Sequence, residues 1–407
     1  MCFLDAARKL VLVSTIVGAI TGCGGGGGSA VSTGSSSVTR AANEVEVTVD
    51  KGPAGYNVNR LYTDVTICTP GTLQCQTINH VLVDTGSIGL RILASELSTN
   101  VSLPEVKSGA ETPLLNCLQF VDNSFAWGPV VTADVVLGGK TASAISVQVI
   151  GDPAFDGPSG SCAAGVPNNT LAVLGARGIL GVGINAEDCG ISCIGNAANG
   201  HYFNCADATC RTARPSTAAL VLQVKNPVSQ FVQDNNGLSI ELPAAASAGQ
   251  SSLVGKMVFG VGTQVNSTIT PSATLSTNAL GYIKVTLDGR ARPNSFIDTG
   301  SNALYFDSST MPLCAGSAKD FFCPVAATDF TTTLVGSNFV QTSVQISVAN
   351  ASDQFIGGSN TVLPRLGGPS GDSRTFDGGL PFFYGRRVVI GFAGKTSALG
   401  IGPYYAF

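Results

Sequence analysis

Charge is scarce in this chain of 407 residues: Lys, Arg, Asp and Glu together make up 12%, and the net charge is −4. Lys and Arg form no cluster, so a nucleic-acid backbone would find no cationic surface to neutralise it. Histidine is nearly absent, with only His80 and His201. Two histidines leave little room for a His-rich metal centre or for a Ser-His-Asp or Cys-His machine. Long amphipathic helical patterns are missing. After residue 23 no stretch approaches the ~18 uninterrupted apolar residues of a membrane-spanning helix.

Turn and strand formers fill the space: 50 glycines, with frequent Val, Ile, Thr and Ser. That balance predicts an all-β chain with many turns. Val45, Val47 and Val49 alternate with Glu46 and Thr48, and Leu61, Val65 and Ile67 keep the same two-residue spacing of half-buried strands. Cys117 to Phe120, Val121 to Ser124 and Val130 to Leu137 read as a hairpin, with Phe125 and Trp127 near its tip. Leu220 to Val224 reads as a strand. Tyr282 to Leu287 is another, closed by the hairpin turn signal Asp288-Gly289. His80 lies four residues before Asp84 and is expected to be a satisfied strand-end histidine on that residue's face. The length suffices for two lobes of roughly 150–200 residues. The organisation expected is 1–23 signal peptide, 24–43 flexible tether, 44–230 N-terminal lobe and 231–407 C-terminal lobe.

The first 23 residues read as an export signal. Arg8 and Lys9 precede an apolar stretch, Leu10 to Ile20, too short to span a bilayer. Ala19-Ile20-Thr21-Gly22-Cys23 then resembles a bacterial lipobox, the alternative being an ordinary cleaved signal. Lipidation of Cys23 would anchor the protein, with the outer membrane facing the periplasm as the expected location. The next residues, Gly24 to Gly28 and a Ser/Thr/Ala run, suit a flexible tether.

Apart from Cys2 and Cys23, ten cysteines remain, an even number that suits an oxidising compartment. Closeness suggests Cys68–Cys75 and Cys314–Cys323. Elimination suggests Cys117–Cys162. Cys189, Cys193, Cys205 and Cys210 are expected to close on themselves with connectivity open, or alternatively to bind zinc.

The most informative feature is a tetrapeptide used twice, Asp84-Thr85-Gly86-Ser87 and Asp298-Thr299-Gly300-Ser301, about half the chain apart. Each copy lies between short apolar runs, as in a duplicated lobe that gives one carboxylate to a shared cleft. Two carboxyls held about 3 Å apart cannot both ionise. The ionised one can take a proton from water while the protonated one donates to a carbonyl oxygen, with no metal or cofactor required. Gly86 and Gly300 allow tight turns and close approach. Thr85 and Thr299 can bond across to the opposite turn. Ser87 and Ser301 can donate to the outer carboxylate oxygens, which favours ionisation and an acidic optimum.

With these motifs the chain resembles the pepsin-type bilobal aspartic peptidases, specifically bacterial lipoprotein relatives grouped as a domain of unknown function. The likeness spans roughly residues 55–407. It includes the apolar run Gly178 to Gly183, similar to the strand beside the first active loop, and Gly379 to Phe383 with Val388 to Phe392. The resemblance implies a pepsin-like fold of two barrel-like lobes. It makes Asp84 and Asp298 the catalytic pair, with Thr85, Gly86, Ser87, Thr299, Gly300 and Ser301 as supports. It also makes the 119–136 hairpin a substrate-covering flap carrying Phe125, Trp127 and Gly128. The flap lacks the family's tyrosine, and Arg91 stands where that family often has a tryptophan. The locking bond between the two is thus lost or remade, one option being Trp127 stacked on Arg91. Residues 24–54 hold only Arg40 and Lys51 as basic residues, so no basic zymogen segment is expected. Peptide hydrolysis by a monomer that binds an extended segment of roughly six to eight residues is the leading expectation. A silent peptide-binding or inhibitor-like module and a two-carboxylate glycosidase are the alternatives.

Overall fold

The computed structural model describes residues 40–109, 112–155, 157–158, 162, 165–205 and 212–407. The signal segment, Cys23, most of the tether and Cys210 lie outside the described residues.

Eight strands build most of the first half: β1 (Glu44–Val49), β2 (Leu61–Cys68), β3 (Cys75–Asp84), β4 (Ile88–Leu93), β5 (Leu114–Gln119), β6 (Phe125–Leu137), β7 (Lys140–Ile150) and β8 (Gly178–Val182). The alternation in β1 works as the sequence predicts. Val45, Val47 and Val49 are buried and Glu46 faces outward. With Leu61, Val65 and Ile67 they join a core that also holds Leu238, Met257 and Val388 of the second half.

One layout is built twice. β3 delivers Asp84, the chain turns, and β4 runs back. β8 threads between them, parallel to β3 (Leu82↔Ile179, Asp84↔Gly181) and antiparallel to β4 (Leu90↔Leu180). In the second half Arg290–Ile297 delivers Asp298 and Leu304–Phe306 returns. Phe376–Gly378 threads between, parallel to the first (Ile297↔Gly378) and antiparallel to the second (Leu304↔Gly378). Each aspartate therefore sits where two strands part around a third. A continuous sheet ties the halves together: β1 pairs along its length with Leu253–Phe259, which pairs with Gly237–Leu242. This all-β, duplicated architecture meets the expectation of two barrel-like halves built around the repeated turns.

Among the described residues four disulfides join Cys68 to Cys75, Cys117 to Cys162, Cys189 to Cys193 and Cys314 to Cys323. Cys205 is oxidised too. With Cys189 and Cys193 bonded to each other, the four-thiolate zinc alternative falls away.

Two local readings need correction. Leu220–Leu222 is a 3₁₀ turn, not a strand, because Leu222 N–H donates to the Ala219 carbonyl and Gln223 N–H to that of Leu220. His80 is satisfied as expected, its Nε2 lying 3.1 Å from Asp50 Oδ2, but not by the route expected. A bulge opposite Thr63–Val65 and a left-handed His80 (φ +52°) break the alternation that would have put it on Asp84's face.

Candidate active site

The two turns meet face to face. A Cβ on Gly86 would lie 2.6 Å from Asp298 Cγ, and one on Gly300 would lie 2.6 Å from Asp84 Oδ1. Glycine is the residue that permits this approach. The threonines brace it. Thr299 Oγ1 donates to the Val83 carbonyl at 2.7 Å and accepts the Thr85 N–H at 3.2 Å. Thr85 Oγ1 accepts the Thr299 N–H at 3.0 Å and donates to the Ile297 carbonyl at 3.4 Å. All four bonds are buried, so each contributes about 1 kcal/mol and none can be cut without leaving a stranded group.

Each carboxyl lies against the glycine of the opposite turn, and both are wholly shielded from solvent. Their donors differ. Asp84 Oδ1 accepts the Gly86 and Ser87 N–H groups at 2.9 and 3.1 Å, and its Oδ2 accepts the Ser87 hydroxyl at 2.5 Å. Asp298 Oδ1 accepts the Gly300 N–H at 2.8 Å, and its Oδ2 accepts the Ser301 hydroxyl at 3.1 Å. Burial raises both pKa values above the ordinary carboxylate range. For Asp84 the serine and backbone donors oppose the rise. For Asp298 the neighbouring charges of Asp84 and Asp377 add to it, pushing it well above. Asp84 is therefore the member that ionises first, and Asp298 keeps the proton. The serines bond as expected, but burial outweighs them, so the low values anticipated from their presence are corrected upward.

Asp377 is a third carboxyl that the sequence reading missed. It lies on the threading strand opposite Phe296 and Tyr305 and is buried, and burial foremost raises its pKa well above the ordinary carboxylate range. A lone acid inside the apolar run Phe376 to Phe383 was the available signal. Asn59 is another missed residue. Its side chain donates to the carbonyls of Asn302 and Leu363, so a first-half residue pins the segment just after the second turn.

The hairpin forms from β5 and β6 as expected, but its side chains do not serve as the resemblance implies. Phe125 and Trp127 are buried beneath it with Phe155 and Phe203. Trp127 Nε1 donates to the Phe155 carbonyl, and its ring meets Phe203 edge-on at 5.2 Å. A Cβ on Gly128 would collide with the Val149 carbonyl oxygen on β7. The tip is stitched to residues 166–168, with Phe125 N–H donating to Val166 and Asn168 N–H donating to Phe125. The Trp127–Arg91 stack is not formed. Arg91, fully buried, donates instead to Asp188 Oδ2 at 3.0 Å, which also accepts from Asn116 of β5 at 3.0 Å. The link between hairpin and β4 is thus remade through a buried ion pair. Burial raises the Asp188 pKa and the Arg91 charge opposes it. In this structure Phe125, Trp127, Gly128 and Arg91 support the hairpin rather than face a ligand.

Access to the pair is narrow: Gly86 and Ile88 are the partly exposed residues of the first turn. A groove of about 680 Å³ runs elsewhere, along β1 and β2 between Glu46, Asp50, Asp64 and His80, and reaches neither aspartate.

A family model described as "Protein of unknown function (DUF3443)" matches residues 39–407. The chain belongs to that family. No curated protein matches it. Among solved structures it is similar to the crystal structure of an aspartic proteinase from Irpex lacteus, with 15% identity and a TM-score of 0.49 over 90% of this chain and 97% of that one. The family match takes in both Asp-Thr-Gly-Ser turns and the strands that carry them.

Proposed function

We propose that this DUF3443 protein is an aspartic endopeptidase that hydrolyses peptide bonds with water activated between Asp84 and Asp298. One observation carries the reading: two identical turns, each held by the other's threonine, press their carboxyls together while Gly86 and Gly300 leave no side chain between them. Asp84, with three donors, is the base that takes the water proton. Asp298, holding its proton, donates to the scissile carbonyl oxygen. The tetrahedral intermediate then collapses as the leaving nitrogen is protonated, without a covalent enzyme intermediate. The active form has one proton on the pair. It opens as pH rises past the raised Asp84 value and closes through the higher Asp298 value. Activity is expected in the weakly acidic range rather than at pH 2–3.

The proposal extends to location. The export signal and Cys23 lipobox, together with disulfides, support a monomer tethered to the outer membrane and facing the periplasm, where a peptide or protein substrate binds extended.

A second reading, a silent peptide-binding module, is favoured by the full burial of both carboxyls and by the tied hairpin tip. Incubating the protein, Asp84→Asn and Asp298→Asn with a diverse peptide mixture between about pH 3 and 7, with products read by mass spectrometry, separates the two. Cleavage abolished in both variants supports the peptidase. No cleavage by the folded parent protein supports the binding module.

A further inference from the structure

Arg91 is a fully buried cation on β4, paired with the buried carboxylate of Asp188. Such a pair adds little net stability over apolar side chains of similar volume. What it can supply is geometry, because a guanidinium is a planar fork whose N–H groups point in fixed directions. The two arms of this fork reach different parts of the molecule. Nη1 folds back along its own strand and donates to the carbonyls of Ile88 at 2.6 Å and Gly89 at 3.2 Å. In a regular strand successive carbonyls point to opposite edges. Gly89, with a φ of +103°, breaks that alternation, so one nitrogen reaches both. Nη2 donates the other way, to Asp188 Oδ2 at 3.0 Å and to Asn116 Oδ1 at 3.4 Å.

Both far partners are held in turn. Asn116, on β5 of the hairpin, accepts from Gln148 at its carbonyl and donates from its amide to Asp188 Oδ2 and to the His201 carbonyl. Asp188 Oδ1 accepts the Tyr202 hydroxyl at 2.5 Å. The residue after each is a disulfide cysteine, Cys117 bonded to Cys162 and Cys189 bonded to Cys193. The near partners belong to the first turn: Ile88 and Gly89 follow directly on Ser87, whose N–H and hydroxyl both donate to Asp84. The second turn has a different anchor, the Asn59 amide on the Asn302 carbonyl.

We propose that Arg91 is a positioning residue for Asp84, a clamp that sets the backbone leaving the first turn against the hairpin strand β5. The proposal rests on the peptidase reading and adds the route by which a displacement of the hairpin reaches the base. Moving β5 moves Asn116 and the Nη2 arm. The rigid fork passes that movement through Nη1 to the Ile88 carbonyl, and Ser87 carries it to the Asp84 carboxyl.

The test is Arg91→Lys, which keeps a cation beside Asp188 but offers one compact ammonium where the fork held both sides. Peptide hydrolysis, measured well below the melting of either protein, should show kcat lowered by about 10²-fold with KM little changed. A variant that melts lower but keeps the parent kcat would make Arg91 a stabilising residue only, and a loss confined to KM would place it in substrate binding; either overturns the proposal. Asn116→Ala gives a readout independent of turnover and leaves the buried charges in place. It should move the backbone amide signals of Gly86 and Ser87 in ¹H–¹⁵N NMR spectra, and should no longer move them in the Arg91→Lys background. Where Arg91→Lys does not fold, Arg91→Gln combined with Asp188→Asn removes both buried charges together and supplies that background. Signals unmoved in the parent, or moved equally with and without Arg91, overturn the clamp. Signals that follow Asn116 through Arg91 in a parent that cleaves nothing leave the clamp standing and remove the peptidase reading.

Discussion

The first and second Asp-Thr-Gly-Ser turns share a sequence, a strand layout and a cross-brace, yet they are not electrostatic equals. Asp84 sits among three donors and its serine approaches to 2.5 Å. Asp298 has two donors, one of them a serine at the longer 3.1 Å, and the charges of Asp84 and Asp377 acting on it. The repeated tetrapeptide sets where the carboxyls are. Their unrepeated neighbours set which one holds the proton. A duplicated site can thus assign an acid and a base without changing either motif.

The largest expected effect breaks the pair itself. Asp84→Asn and Asp298→Asn should each lower peptide cleavage by about 10²–10⁴-fold or more while leaving the near-ultraviolet circular dichroism intact. Next come Gly86→Ala and Gly300→Ala, whose added methyl must displace the opposite carboxyl. A shift near 1 Å should reduce kcat by about 10²-fold, and a variant with unchanged kcat would show that the turns are not in contact. The braces should be unequal. Thr299→Val removes a 2.7 Å donation and is expected to cost about 2–3 kcal/mol, against about 1–2 for Thr85→Val, which loses a donation at 3.4 Å; calorimetric melting ranks them. The smallest effect separates the serines. Ser87→Ala should move the acid limb of the rate profile up by about one unit, because Asp84 loses a donor to its charged form. Ser301→Ala should leave that limb within about 0.3 unit.

How much of this was legible in advance follows from range. The strands around each motif, the threonine cross-bonds and the serine donations are local consequences of a short pattern, and they were read correctly. So were the short-loop disulfides, where closeness in sequence decides. The partner of Arg91 and the third buried acid were not legible. Asp188 lies 97 residues from Arg91, and Asp377 comes beside the second turn only because the threading strand returns between the two that part there. Trp127 drew notice as the single tryptophan, but its contacts were settled by Phe155 and Phe203, which no periodicity brings to it. The upward shift of the dyad was missed for a related reason: donors are visible in a motif, whereas burial is a property of the whole fold.

The most direct test of the central claim is a carboxyl ¹³C NMR titration of the parent protein, with Asp84 and Asp298 assigned from the two Asn variants. The account predicts that the Asp84 signal moves first as pH rises, while Asp298 retains the shift of a protonated acid over the range in which peptides are cleaved. Asp298 ionising first, or both carboxyls titrating together near their ordinary value, would contradict it.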